Sequence, residues 1–273
     1  MATALITGGT SGIGAEFARQ LAARGMDLVL VARDPGRLAE TAERLNAVSG
    51  IHVEIIAADL AVREDVDRIV RRIEDADRPL DVLVNNAGVG LHAPLTSVET
   101  AQHEHAFDVM CRAVFVLGGA AGRSMKARGG TIINISSLQT YLATGSYGAI
   151  KAWVTAFSES LAVELHGTGV TVTAVLPGWV RTEWHERAGV RRSSLPAFLW
   201  SEPEVVVRCA LRDAGRGRVI SIPTVRYRVL GWFARHAPRA GIRWASSKIS
   251  SGRVDTAQPV DGSEHTDMKA DNQ

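Results

Sequence analysis

Thr7-Gly8-Gly9-Thr10-Ser11-Gly12-Ile13-Gly14 follows the apolar run Ala2-Thr3-Ala4-Leu5-Ile6 and leads into Ala15-Glu16-Phe17-Ala18-Arg19-Gln20-Leu21. The order reads as strand, tight turn and helix. Closely spaced glycines let a backbone approach a pyrophosphate with no Cβ in the way. The helix behind them offers free N–H groups and a positive dipole end to the phosphates. Gly8, Thr10, Ser11, Gly12, Ile13 and Gly14 are therefore candidate nucleotide-binding residues. Their spacing is Gly-x3-Gly-x-Gly, unlike the G-x-G-x-x-G of two-domain dehydrogenases.

Working outward, short β-branched runs alternate with helical patterns. Strands are expected at Ala2–Thr7, Asp27–Val31, His52–Ala57, Asp81–Asn85, Thr131–Ser136, Thr171–Leu176 and Arg218–Ile222. Helices are expected between them, for example at Leu38–Val48, Asp65–Glu74 and Ala149–Leu165. Unbroken runs such as Leu28-Val29-Leu30-Val31 suit strands buried on both faces of a parallel sheet. The alternation predicts an α/β, doubly wound fold with helices on both faces. Regularity ends after Pro177. The region of about 181–215 reads as a substrate loop with short helices. Residues 226–252 read as a basic amphipathic extension, and residues 253–273 as a disordered polar tail.

The chain has 273 residues, 46% hydrophobic, with a net charge of +2. That length buries one large core. The charge gives no electrostatic case for nucleic acid. Two cysteines, Cys111 and Cys209, form neither a disulfide framework nor a metal-ligand spacing. No metal site is expected. The first strand begins almost at Met1, which predicts no signal peptide and a cytoplasmic protein. No apolar run reaches the roughly 20 residues of a membrane span.

The second strand ends Val31-Ala32-Arg33-Asp34. An acid at a strand end would bond a ribose 2′-hydroxyl, whereas an arginine would meet a 2′-phosphate. Arg33 thus favours NADP, with NAD as the alternative. The other reading makes Arg33 a solvated charge and Asp34 a helix cap. Asp59-Leu60 and Asn85-Asn86-Ala87-Gly88 follow the third and fourth strands, where ligands bind along the carboxyl edge of such sheets. Asp59 suits an adenine amino group or a helix cap.

Tyr147 and Lys151 stand four residues apart, on one helix face. A nearby ammonium favours a phenolate. Ser137, at the end of the fifth strand, can donate to a carbonyl oxygen. Thr7–Gly14, Asp59-Leu60, Asn85–Gly88, Ser136-Ser137, Tyr147-Gly148-Ala149-Ile150-Lys151 and Pro177-Gly178-Trp179-Val180-Arg181-Thr182 occur in the order of the short-chain dehydrogenases/reductases. The chain resembles their single-domain branch over roughly residues 1 to 225.

That resemblance implies a Rossmann-type, mostly seven-stranded sheet and an oxidoreductase interconverting a carbonyl and a secondary alcohol. Ser137, Tyr147 and Lys151 become the catalytic set, with Ser136 and Ser146 as fallback donors for Ser137. Asn86, Ala87, Gly88, Tyr147 and Lys151 join the cofactor contacts, and Pro177, Gly178, Val180 and Thr182 border the nicotinamide. It also implies a homodimer or homotetramer through Thr100–Met125 and Tyr147–His166.

Two departures stand out. Met110 occupies the position of a family Asn that holds a water on the proton path, and a thioether donates nothing. Only ten positions separate Ser137 from Tyr147, fewer than usual, so the loop between must be tight. Met110 is the one feature favouring an alternative, a low-turnover cofactor-binding interaction protein. A third idea is an isomerase or dehydratase on the same scaffold.

On the substrate side, Leu138, Gln139, Tyr141, Trp179, Trp184, His185, Phe198 and Trp200 suggest a hydrophobic carbonyl or alcohol, or plain loop packing. The basic and aromatic residues of 226–249 suit peripheral membrane contact. Pro238 and Gly241 interrupt them, and a solvated basic face is the other reading.

Overall fold

In the computed structural model, residues 1–91, 93–182 and 197–254 are described. Seven strands form one parallel sheet in the order β3-β2-β1-β4-β5-β6-β7. They are β1 Thr3–Thr7, β2 Asp27–Ala32, β3 Val53–Ala57, β4 Val82–Asn85, β5 Gly130–Ile135, β6 Val170–Val175 and β7 Ile220–Ser221. The helices are α1 Gly12–Ala22, α2 Pro35–Ser49, α3 Arg63–Ile73, α4 Ala101–Phe107, α5 Ala113–Met125, α6 Gly145–Glu164, α7 Pro203–Ala214, α8 Val225–His236 and α9 Arg239–Val254. A π turn, Asp108–Arg112, joins α4 to α5. This is the Rossmann-type, doubly wound sheet expected from the sequence, with the order reversing between β1 and β4.

All seven expected strands form, most within one residue at each end. β7 is the exception: it shrinks to two residues between left-handed Gly217 (φ 65°) and Pro223, which cannot donate to a ladder. Central strands are buried on both sides because each face carries its own core. Leu5, Val29 and Leu83 pack toward α3 and α5. Ala4, Ile6, Leu28 and Leu30 pack toward α1 and α7. Alternate residues of one strand serve opposite faces, which is why the runs are continuously apolar.

The extension expected to begin at residue 226 is not separate from this body. Within α8, Tyr227 is buried, and its hydroxyl accepts from Trp179 N and donates to Leu199 O. α9 docks through Ser246, whose Oγ accepts from Ala143 N at 3.0 Å. The expected disorder of 253–273 falls almost wholly outside the described residues. No helix among the described residues is long and apolar enough to cross a membrane.

Candidate active site

The glycine turn sits where β1 ends. Gly8 N donates to Val31 O at 2.8 Å, pinning the turn to the end of β2. Gly8 (φ 67°) and Gly12 (φ 54°) are left-handed, a conformation that excludes most side chains. Asn86 holds the turn from below: its Nδ2 donates to Thr7 O and Gly8 O, while Asn86 N and Ala87 N donate to Thr7 Oγ1. The Asn86 side chain is thus a brace for the turn.

The Ser11 side chain does not cap α1. The first-turn N–H groups of α1 therefore stay available to an anion. Gly14 differs from the other five turn residues. It does not line the cavity, and a Cβ there would fall 2.1 Å from Gly8 O and 2.4 Å from Asn86 Nδ2. Its smallness lets helix and turn close on each other.

The cavity above the turn has a volume of about 940 Å³, near the top of the usual range for ligand pockets. It runs along the carboxyl ends of β1, β2, β4 and β5, the edge where open α/β sheets bind ligands. Arg33 is exposed at one end, and Arg37, from the first turn of α2, lines the same end. Asp34 Oδ1 accepts from Gly36 N at 2.9 Å and Arg37 N at 3.1 Å. The cap reading of Asp34 is therefore realised. Asp59 and Leu60 line this wall as well. Asp59 Oδ1 accepts from Ala61 N, a local turn bond that leaves further acceptor capacity. Ala87, Gly88, Pro177, Gly178, Val180 and Thr182 complete the lining toward the other end.

At that other end, Ser137, Tyr147 and Lys151 share one wall. Ser137 leaves β5 and caps the 3-10 turn Leu138–Tyr141 by accepting from Gln139 N. Its own hydroxyl proton finds no acceptor among the described residues, so it can point into the cavity. Ser136 is spent otherwise, its Oγ donating to Lys151 O at 2.8 Å and meeting Thr155 Oγ1. Ser146 does not line the cavity and bonds His103 Nδ1. The geometry thus separates the three serines. The single 3-10 turn is how the short interval between Ser137 and Tyr147 is spanned.

Lys151 is buried, and its Nζ donates to Ile135 O at 2.8 Å. The ammonium lies 5.6 Å from the Tyr147 ring centroid. Burial lowers the Lys151 pKa to about 8. Burial also pushes the Tyr147 phenol above its ordinary value. In the protein alone, desolvation therefore outweighs the lowering expected from the neighbouring ammonium. Cys111, forty residues earlier in the chain, feels the Lys151 charge. It is fully buried, its thiol is raised to about 11 by burial, and the Lys151 charge pulls the other way.

Met110 lies within the π turn, 1% exposed, with its Sδ 3.4 Å from where a Cβ on Gly88 would stand. A π turn inside an α-helix is uncommon and tends to sit at functional sites.

Of the expected substrate residues, Leu138, Gln139 and Trp179 line the cavity. Trp200 instead packs on Trp179 at 5.9 Å, Phe198 faces solvent, and Tyr141 is off the lining. Trp184 and His185 lie outside the described residues. Sequence reading missed the wall given by Tyr227, Leu230, Gly231 and Ala234 of α8. Their helical spacing was the available signal, masked by the arginines between them. Gly178 fits only because it lacks a Cβ, which would meet the Tyr227 ring at 2.1 Å.

Comparison with known proteins agrees with this geometry. A structure described as a short-chain dehydrogenase from Sphingobium yanoikuyae in complex with NADPH is 33% identical, with a TM-score of 0.77 over 97% of this chain and 99% of that one. The bulky-bulky ketone specific alcohol dehydrogenase from Comamonas testosteroni is 28% identical, with a TM-score of 0.74 over 97% and 98%. A very-long-chain 3-oxoacyl-CoA reductase of Anas platyrhynchos is 33% identical over 78% of this chain and 69% of its own. Residues 2–192 match the short chain dehydrogenase family, and the chain belongs to that family of oxidoreductases.

Proposed function

We propose that the protein is an NADP(H)-dependent reductase of a bulky hydrophobic ketone, able to run in reverse as a secondary-alcohol dehydrogenase. The observation that carries this reading is one continuous cavity. It joins the glycine turn and two arginines at one end to Ser137, Tyr147 and Lys151 at the other. The neighbouring structure with NADPH and the relative specific for bulky ketones support cofactor and substrate class. The apolar wall of Leu138, Trp179, Leu230 and Ala234 suits a hydrophobic substrate.

The residues fit the cofactor. The turn of Gly8 to Ile13 would take the pyrophosphate, Arg33 and Arg37 the 2′-phosphate, and Asp59 the adenine. When bound, the nicotinamide supplies the hydride. Ser137 Oγ–H holds the carbonyl oxygen and stabilises the charge that develops on it. Tyr147, kept protonated by burial, donates its proton to that oxygen. The Lys151 ammonium, anchored on Ile135 O, stabilises the phenolate left behind. The apolar wall excludes water from the transfer. On the outside, Phe115 meets Phe157 at 5.9 Å and Trp153 stacks on Phe157 at 5.2 Å. With Phe107 and Phe115 exposed, this face of α4 to α6 suits the homo-oligomer contact.

The test is a panel of hydrophobic ketones and alcohols assayed by nicotinamide absorbance with both cofactors. NADPH oxidation by a bulky ketone is the expected result; silence across the panel despite NADPH binding would favour a cofactor-binding protein with little turnover. Arg33→Ala should weaken NADPH binding by about 1–3 kcal/mol and leave NADH binding almost unchanged, the loss of one charge-assisted contact. Calorimetric titration with both cofactors checks this, and a wild type that prefers NADH would refute the assignment.

Met110→Asn tests the departure in the π turn. An amide buried at this point should lower stability by roughly 1–3 kcal/mol unless it finds partners. If the amide supplies the donor and acceptor that the thioether lacks, turnover should rise or the pH profile of reduction should move. An equally stable variant with an unchanged profile would show that position 110 is neutral to proton supply.

A further inference from the structure

Residues 225–254 contain six arginines, one lysine and no acidic residue, although the whole chain sums to only +2. Helix α8 within this stretch has two faces. Tyr227, Leu230, Gly231 and Ala234 turn inward to the cavity. Val225, Val229, Trp232, Phe233 and His236 recur at helical spacing on the opposite side, a stripe about 100° wide. That stripe is bare: Val225 is 71% exposed, Trp232 58% and Phe233 60%. Trp232 holds its place through an edge contact to Phe233 and a stack on His236. Arg226 flanks the stripe on one side; Arg228 and Arg235 flank it on the other. Helix α9 carries a further exposed aromatic, Trp244, 68% exposed, beside Arg243, which stands one turn beyond Arg239.

Arg226 and Arg228 are tied to the body, to Trp200 O and Ser201 Oγ and to Ile222 O respectively. Arg235, Arg239 and Arg243 are exposed, and no ion pair of theirs is found among the described residues. An apolar stripe flanked by arginines, on helices that carry no acid between residues 225 and 254, is poorly suited to self-pairing, since two copies would bring like charges together. It suits a surface that is apolar beneath and negative on top.

We infer that α8 and α9 form a docking surface for an anionic lipid bilayer, lying in the interface with Trp232, Phe233 and Trp244 among the acyl chains and Arg235, Arg239 and Arg243 at the headgroups. The contact is in-plane, because no described helix is long and apolar enough to span. The helix that meets the lipid also walls the cavity, so a lipid-borne carbonyl compound arrives within about one helix diameter, roughly 10 Å, of the site. That last step rests on the reductase reading; the binding does not.

The experiment is co-sedimentation of the full chain with vesicles of pure phosphatidylcholine and with vesicles containing about one-third phosphatidylglycerol. Binding should be at least tenfold tighter to the anionic vesicles and should weaken with added salt, on the order expected for several basic groups. The triple variant Arg235→Ser, Arg239→Ser, Arg243→Ser should lose about a hundredfold in anionic-vesicle affinity. The pair Trp232→Ala, Phe233→Ala should lose binding even at low salt. Trp244→Ala gives a second, independent reading should that pair fail to fold, and NADPH titration serves as the folding control. Turnover is not read here, so silence in the ketone panel would sink the reductase reading and leave the vesicle result standing. Equal affinity for neutral and anionic vesicles, no binding, or variants that bind like the wild type would overturn the inference. So would a sedimentation result in which Trp232→Ala, Phe233→Ala converts a dimer to a monomer, which would give the face to a second copy.

Discussion

Tyr147→Phe is expected to lower kcat for ketone reduction by about 10³-fold or more while NADPH affinity stays within about threefold. The substitution removes one oxygen and keeps the ring, which packs against the core cluster that includes Ile150 and Leu161. Folding and cofactor binding should therefore survive. What disappears is the hydroxyl that delivers the proton in the proposed mechanism. Burial raises the phenol, so at neutral pH the proton is present in nearly every molecule. Ser137 has a pKa far too high to replace it, and the Lys151 ammonium is engaged by Ile135 O. Single-turnover absorbance with NADPH in excess separates the chemical step from product release. A variant that reduced the ketone at near wild-type rate would remove Tyr147 from the mechanism.

The same residue shows how far the sequence could be read. Tyr147 and Lys151 are legible because their spacing is local, as is the glycine turn, where strand, turn and helix are consecutive. Parallel strands buried on both faces announce themselves as apolar runs, and all seven form. Failures cluster where the decisive neighbour is distant in the chain. The close packing at Gly14, set by Gly8 O and by Asn86 Nδ2 some seventy residues on, is not visible in the linear motif. Tyr227 closes the cavity only because it seats on Gly178 across an interval that no local pattern spans. The ammonium beside Tyr147 is legible in the sequence, but the burial that raises the phenol in the protein alone is a property of the folded wall.

Lys151→Met should abolish most activity and at the same time change how stability depends on pH. Activity should fall by about 10²–10⁴-fold, because the phenolate left by Tyr147 loses its counter-charge. The stability effect follows from the Lys151 pKa, lowered by burial from 10.5 to about 8. Below pH 8 both folded and unfolded chains carry the proton, and the folded state bears the full cost of a buried ammonium. Between about pH 8 and 10.5 the unfolded chain keeps a proton that the folded chain has released, so the stability of the wild type rises with pH across that window. Met titrates nowhere. Relative to Lys151→Met, the wild type should gain on the order of 2–3 kcal/mol from pH 7 to pH 10.5. Urea midpoints of both proteins at matched pH measure the difference, and other titrating groups cancel between them. The wild-type reduction rate should decline over the same limb, above about pH 8, as the ammonium is lost. Lys151→Arg separates the two effects: a guanidinium stays charged, so whatever activity survives should lack that decline. If wild type and Lys151→Met kept a constant stability gap from pH 7 to 10.5, Lys151 would not be desolvated as its burial requires, and both the pH limb and its assignment would have to be abandoned.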